Sequence, residues 1–516
     1  MNKYKIATNL LFIFLIFIFI LRIIFITRFD LVPEEAYYWQ WSRHLSLSYY
    51  DMSPMIAYII AATTLFGKFN SQLFVRLGAP LTSLIISLFT YLLLNKLTGN
   101  KIYSIGGAVL LNVIPIFNVG SVLIVYGDAQ ILFFALTILF LVYLVRHQKD
   151  YYWYLIGISS GLALLSKYTA VFLYLIIFLF MLLSKAYRKY FSRKEPYLSF
   201  FISVALFAQV IIWNYLNDFA SFRHLFTLSG HYVNFNTFIN NLYLFIASQA
   251  GIVSPFIYII LIYSLFYGLY TGLKNKNDTY LALSLAGLTP FFYFIYQCSK
   301  TEVQPNWPVF MYFTAYILAG TLVFEFFKKL KSAKSKKLAA SFLAFSAGVG
   351  FLFSAVTFTQ PYYTIVNIKQ DKSPIRDMLG WKKLAGEVDV ILKTHKKDHF
   401  LIMARRFQIA SELAYYVKGR PQTYSFNYYL RNNEYSLWNH FRNKKGDNFL
   451  YIIDTKYGDH LEKKLAENFK SHKLLKVLII THARQKIRTI KIYELKKFLY
   501  LYKDKYLFKK FAAKQF

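Results

Sequence analysis

Two adjacent carboxylates, Glu34 and Glu35, follow Pro33 in the segment PEEAYYWQW (residues 33–41). Paired acids near a membrane surface can divide a reaction: one accepts a proton from an incoming hydroxyl while the other orients substrate or a divalent ion. The same residues also suit the first turn of a helix, where proline is tolerated and acids meet the positive end of the dipole. Asp51, in SYYDMSPMIAY (48–58), precedes Ser-Pro and reads as a turn residue or as a substrate contact. Asp128, in VYGDAQILFF (125–134), opens an apolar run, where it is either an N-cap or a further catalytic acid. Glu34 and Asp128 are the candidate ligands if a divalent metal ion takes part.

Cations accompany these acids. Lys167 interrupts the apolar stretch LALLSKYTAVF (162–172), where its ammonium either snorkels to water or meets a phosphate. The segment 213–232 supplies Arg223, His224 and His231, and an Arg–His pair can grip phosphate. Lys300 and Glu302 lie in CSKTEVQPNWP (298–308).

The elements that must position these residues are membrane helices. The chain has 516 residues, 56% of them hydrophobic and 20% aromatic, and runs near 20 apolar residues recur to about residue 357. Helices satisfy their own backbone groups in lipid, whereas a barrel needs short alternating segments that are absent here. The sequence predicts about eleven spans, at 8–26, 78–95, 102–119, 129–146, 152–166, 168–184, 198–216, 243–270, 279–297, 307–327 and 338–357. The first is a retained span, since no small-residue cleavage site follows it. Lys and Arg concentrate in alternate loops, such as Lys96 and Lys101 or Lys328 to Lys337, which makes those loops cytoplasmic. The acids and cations above then fall on the outer face.

The net charge of +35 is assigned to loops and anionic lipid headgroups rather than to nucleic acid. A single cysteine, Cys298, excludes a disulfide framework. The transmembrane part is predicted to cover 1–357, with 27–77 a long outer loop carrying short interfacial helices. Residues 358–516 are polar and basic. Short apolar runs there (His399–Ala404, Phe449–Ile453, Lys476–Thr481) alternate with helical stretches (Ile409–Val417, Leu461–Phe469), which predicts a small soluble α/β domain ending in an aromatic, lysine-rich tail, Phe498–Phe516.

Several stretches carry a family resemblance. These are EEAYYWQWSRHLSLSYYDMSPMIAY (34–58), YGDAQILFF (126–134), GLALLSKYTAVFL (161–173), IIWNYLNDFASFRHL (211–225), KTEVQPNWP (300–308), RRFQIASELAYYVKGRP (405–421) and NEYSLW (433–438). In that order they resemble the bacterial branch of the dolichyl-phosphate-mannose protein mannosyltransferase family, which includes the lipid A aminoarabinose transferases. The resemblance implies a GT-C-type membrane glycosyltransferase. It implies an undecaprenyl-phosphate-linked sugar donor and transfer at the periplasmic side of the bacterial inner membrane. The acceptor would be lipid A, another glycolipid or a protein. It also implies catalytic acids at Glu34, Glu35 and Asp128. Asp51, Lys167, Arg223, His224 and Lys300 remain for substrate. Two positions depart from the pattern: Glu34 stands where the family usually has Asp, and Ser53 where the aminoarabinose branch has Lys. A transporter or flippase of lipid-linked sugars is the competing reading; it predicts charges near the bilayer midplane rather than at one face.

Overall fold

The computed structural model describes residues 3–228, 230–363, 365–366, 374–426, 431–438, 443–482 and 485–499. The first helices are α1 (Lys3–Ile26), α2 (Pro33–Arg43), α3 (Met55–Thr63), α4 (Gln72–Arg76), α5 (Gly78–Thr98) and α6 (Lys101–Leu111). They are followed by α7 (Pro115–Val119), α8 (Tyr126–His147), α9 (Tyr151–Ser166), α10 (Phe172–Leu183), α11 (Lys194–Leu216) and α12 (Ala220–Leu228). The bundle is completed by α13 (Phe235–Val253), α14 (Pro255–Lys274), α15 (Asp278–Cys298), α16 (Val309–Lys329) and α17 (Ala333–Thr359).

Eight helical stretches are long and apolar enough to cross a membrane, among them Gln72–Thr98, where α4 runs on into α5. Lys101–Leu111 and Tyr168–Leu183 are apolar but shorter, and α9 has 16 residues. The protein is therefore a multi-pass membrane protein, and four of the expected spans are shorter or divided. The stretch 102–119 divides because Asn112 turns its amide back onto the Ala108 carbonyl at 2.9 Å and Pro115 starts a new helix. The stretch 243–270 divides at Ser254, whose φ is 91°. Pro255 has no N–H to continue the helix and drives the preceding residue out of the α region.

The C-terminal region contains α18 (Trp381–Thr394), α19 (Phe407–Tyr416), α20 (Glu434–Trp438) and α21 (Lys463–Ala466). With them lie β1 (Leu401–Ala404), β2 (Thr423–Ser425), β3 (Phe449–Asp454), β4 (Phe469–His482) and β5 (Gln485–Phe498). The strands form one sheet in the order β2-β1-β3-β5-β4. β1 is parallel to β2 and β3, and β5 is antiparallel to β3 and β4. The helix expected over 461–469 is confined to α21, because Phe469 already enters β4. The tail from residue 500 onward lies outside the described residues.

The bundle has its own apolar core around α8, α15 and α16. A second core joins the first loop to the C-terminal region: Trp39, Trp41, Tyr49 and Ile56 are buried with Trp381, Leu413 and Ile490. Trp39 meets Tyr415 edge-on at 4.9 Å. The Asp30 carboxylate accepts from the Trp381 and Lys382 amides at 2.9 and 3.3 Å, so a residue after α1 caps α18. The apolar faces of α2 and α3 thus pack against protein on both sides.

Candidate active site

Successive residues on a helix point about 100° apart, so Glu34 and Glu35 cannot face the same way. Glu35 turns inward. Its carboxylate accepts from Arg76 Nε at 2.9 Å and Nη2 at 2.5 Å, from the Ile124 amide at 2.9 Å and from the Val32 amide at 2.9 Å. The remaining Arg76 N–H groups donate to the carbonyls of Ile26, Phe29 and Asp30. Both side chains are fully buried. Glu35 forms an architectural ion pair that ties α2 to α1, α4 and the segment before α8, and its carboxylate does not line the cavity that Glu34 faces.

Glu34 points the other way, into a cavity of about 790 Å³. The cavity is walled by Tyr37, Tyr38, Tyr126, Tyr168, Phe172 and Trp307, and it also receives Asp51, Lys167, His224, Arg406 and Arg431. The Glu34 carboxylate is reachable from the cavity yet hemmed in by protein. Its burial raises its pKa, with smaller contributions from the charges of Asp377 and Glu35 and an opposing backbone hydrogen bond. A carboxylate so raised is a stronger base than one in water.

Lys167 stands where α9 ends. Its backbone is extended (φ −161°, ψ 138°), and a 3-10 turn, Tyr168–Val171, follows before α10. This break aims the ammonium into the cavity, 4.8 Å from the centroid of the Tyr126 ring. Burial lowers its pKa from 10.5 to about 7.

Asp51 is held from three directions. It accepts from the Tyr37 hydroxyl at 2.5 Å, from Arg431 Nη2 at 3.0 Å and from the Glu434 amide at 3.3 Å. Burial nevertheless raises its pKa against those bonds. His224 Nε2 lies 4.0 Å from Asp51 Oδ1. The imidazole is 5% exposed, and burial, with the charge of Arg431, lowers its pKa to about 4. It is neutral at pH 7.

The other sequence candidates lie elsewhere. Asp128 is buried at the start of α8, and its Oδ2 accepts from the Val125 amide at 2.7 Å. It caps that helix and does not line the cavity. Arg223 is exposed on α12. Lys300 is 5.1 and 5.2 Å from the ring centroids of Tyr232 and Tyr296, outside the cavity wall. Among the described residues no three His, Cys, Asp or Glu side chains converge to hold a metal ion. With Glu34 in the cavity and Asp128 folded onto its own helix, the pair does not fit a shared divalent ion.

Comparison with known proteins bears on this arrangement. Residues 51–213 match the family model described as dolichyl-phosphate-mannose-protein mannosyltransferase. Lipid A galacturonosyltransferase RgtD of Rhizobium johnstonii is 26% identical over 312 residues, covering 60% of this chain; the match spans 63% of that relative's length. ArnT from Cupriavidus metallidurans in the apo state superposes with a TM-score of 0.61 at 11% identity, covering 94% of this chain and 98% of ArnT. The same protein bound to undecaprenyl phosphate gives 0.59 at 12% identity, with the same coverage. The apo oligosaccharyltransferase of Archaeoglobus fulgidus gives 0.54 at 12% identity over 88% of this chain and 70% of that one. The chain shares the fold of ArnT, and residues 51–213 match the protein-mannosyltransferase family model.

The cavity also has a wall from far along the chain. Arg406, Phe407, Arg431 and Asn433 come from the C-terminal region. Glu434 anchors them: its carboxylate accepts from the Tyr50 amide at 2.6 Å and its own amide donates to Tyr37 at 2.7 Å. Burial pushes the Glu434 pKa up to about 8. The stretches RRFQ and NEYSLW had already marked these places in the sequence as family-like, but nothing local indicated that they close over α2.

Proposed function

We propose that this protein transfers a sugar from a polyprenyl-phosphate donor to a lipid acceptor of the cell envelope, at the periplasmic end of the bundle. The observation that carries the reading is the joint presence of Glu34 and Lys167 in one aromatic-walled cavity. Sugar rings pack on aromatic faces, and a phosphate headgroup needs a cation in a dry site. The name of the relative from Rhizobium johnstonii supports a lipid A-like acceptor, and the undecaprenyl-phosphate complex of ArnT supports a polyprenyl-phosphate donor.

In this reading the acceptor hydroxyl attacks the anomeric carbon from the face opposite the phosphate, so the configuration inverts. A new C–O bond forms as the bond between the anomeric carbon and the phosphate oxygen breaks. Glu34 takes the hydroxyl proton. The leaving prenyl phosphate gains negative charge, which the Lys167 ammonium stabilises. Neutral His224 and the clamped Asp51 with Arg431 shape the sugar site.

The test uses purified protein in detergent with a polyprenyl-phosphate sugar and a glycolipid acceptor. Product is expected without a sealed membrane, and Lys167→Met and Glu34→Gln should each abolish most of it. Wild-type rates in both variants would remove the cavity from the reaction. Movement of donor across vesicles with no product formed would favour a flippase.

A further inference from the structure

A second cavity, of about 820 Å³, opens between α6, α14, α16 and α17 and runs along α6 from Val113 and Ile257 to Asn100 and Phe327 at the far end of the bundle. α16 has 21 residues and begins beside the first cavity, so at about 1.5 Å per residue its other end lies roughly 30 Å away. The groove is apolar and is built from small residues: Gly106 and Gly107 on α6, Gly320 on α16 and Ala344 on α17 all line it. A Cβ placed on Gly106 would meet nothing within 4 Å, so that face of α6 looks onto open space. α17 leans on the bundle further along, where Ser354 Oγ donates to the Val113 carbonyl at 3.0 Å.

The mouth of the groove is basic. Phe324, a wall residue, carries the Lys328 ammonium 4.4 Å from its ring centroid. Lys101 opens α6 beside the wall residues Asn100 and Ile102, and Lys329 closes α16. Glu325, on the same turn of α16, faces away and accepts from the Tyr280 hydroxyl at 2.5 Å. An apolar slot flanked by Lys328 and by the helix ends that carry Lys101 and Lys329 matches a lipid whose headgroup is negative and whose chains are hydrocarbon.

We propose that this groove is a binding site for an anionic membrane phospholipid, with an acyl chain between α6 and α17 and the phosphate at Lys328 and Lys101. The site is separate from the cavity that holds Glu34.

The experiment exchanges the purified full-length protein into nanodiscs of phosphatidylcholine alone or of phosphatidylcholine and phosphatidylglycerol in equal parts, then extracts it and counts retained lipid by native mass spectrometry. Phosphatidylglycerol should be retained selectively. Gly106→Phe should lose it by filling the slot. Lys328→Ala, on an exposed turn, should weaken retention about fivefold, the effect of one lysine near an anionic headgroup, and adding Lys101→Ala should weaken it further. Thermal midpoints identify any misfolded variant; if Gly106→Phe fails to fold, the lysine variants decide. Equal retention of phosphatidylcholine, or full retention in both lysine variants, would overturn the proposal. So would displacement of the retained lipid by a prenyl phosphate at equal concentration, because the occupant would then be the carrier lipid.

Discussion

Ligand binding at Lys167 should draw in a proton, and the size of the effect follows from the burial of its ammonium. The pKa of that group falls from 10.5 to about 7, which corresponds to roughly 5 kcal/mol against the charged form at 1.36 kcal/mol per unit. A prenyl phosphodiester stays a monoanion across neutral and mildly alkaline pH, so only the lysine titrates there. Its phosphate pairs with the charged lysine alone, and apparent affinity scales with the protonated fraction. That fraction is about one half near pH 7 and roughly one hundredth near pH 9. Affinity should therefore fall close to tenfold per pH unit above about 7.5, with one proton taken up per phosphate bound. Calorimetry with a non-transferable prenyl phosphodiester, in two buffers of different ionisation enthalpy, counts that proton. Lys167→Arg should keep the affinity and lose the slope, because guanidinium stays charged; Lys167→Met should lose both. The ligand-free protein has the matching dependence. Its lysine titrates below the unfolded value, so the unfolded chain binds more protons between about pH 7 and 10.5. Stability should rise with pH across that window, and Lys167→Met should flatten the rise. An affinity that is level from pH 7 to 9, or an unchanged slope in Lys167→Met, refutes the reasoning.

Three further outcomes are expected. Glu34→Gln should slow transfer to a hydroxyl acceptor by about 10²–10⁴-fold, the usual worth of a general base, and should slow transfer to a phosphate acceptor far less; parallel rate measurements with the two acceptors decide it. Arg76→Met strands the Glu35 carboxylate in the interior and should cost about 3–5 kcal/mol, read as a lowered thermal midpoint, with much of the loss recovered in Arg76→Met, Glu35→Leu. Asp128→Asn keeps an acceptor for the Val125 amide and should leave transfer within a few-fold of wild type, whereas a loss matching that of Glu34→Gln would return Asp128 to the reaction.

Much of this protein is legible one residue at a time. Spans are local: a run of apolar residues must coil into a helix because lipid offers its backbone no other partner. The same locality hides breaks, since hydropathy over 102–119 and 243–270 masked the proline signals of Pro115 and Pro255. Lys167 was visible because a charge inside apolar sequence needs a reason, and the helix does end there.

The division of labour between Glu34 and Glu35 belongs to the other kind of information. Both sit in the same dipeptide, and the helix sets them about 100° apart. Which of the two is committed depends on Arg76, 41 residues further along. Likewise Asp51 meets Arg431 across 380 residues. Composition and periodicity fixed that this chain crosses a membrane and carries acids and cations around its helix ends. Only the packing of α2 between the bundle and the C-terminal layer decided which of them share a cavity, because long-range ion pairs and burial are properties of the whole fold rather than of any window of sequence.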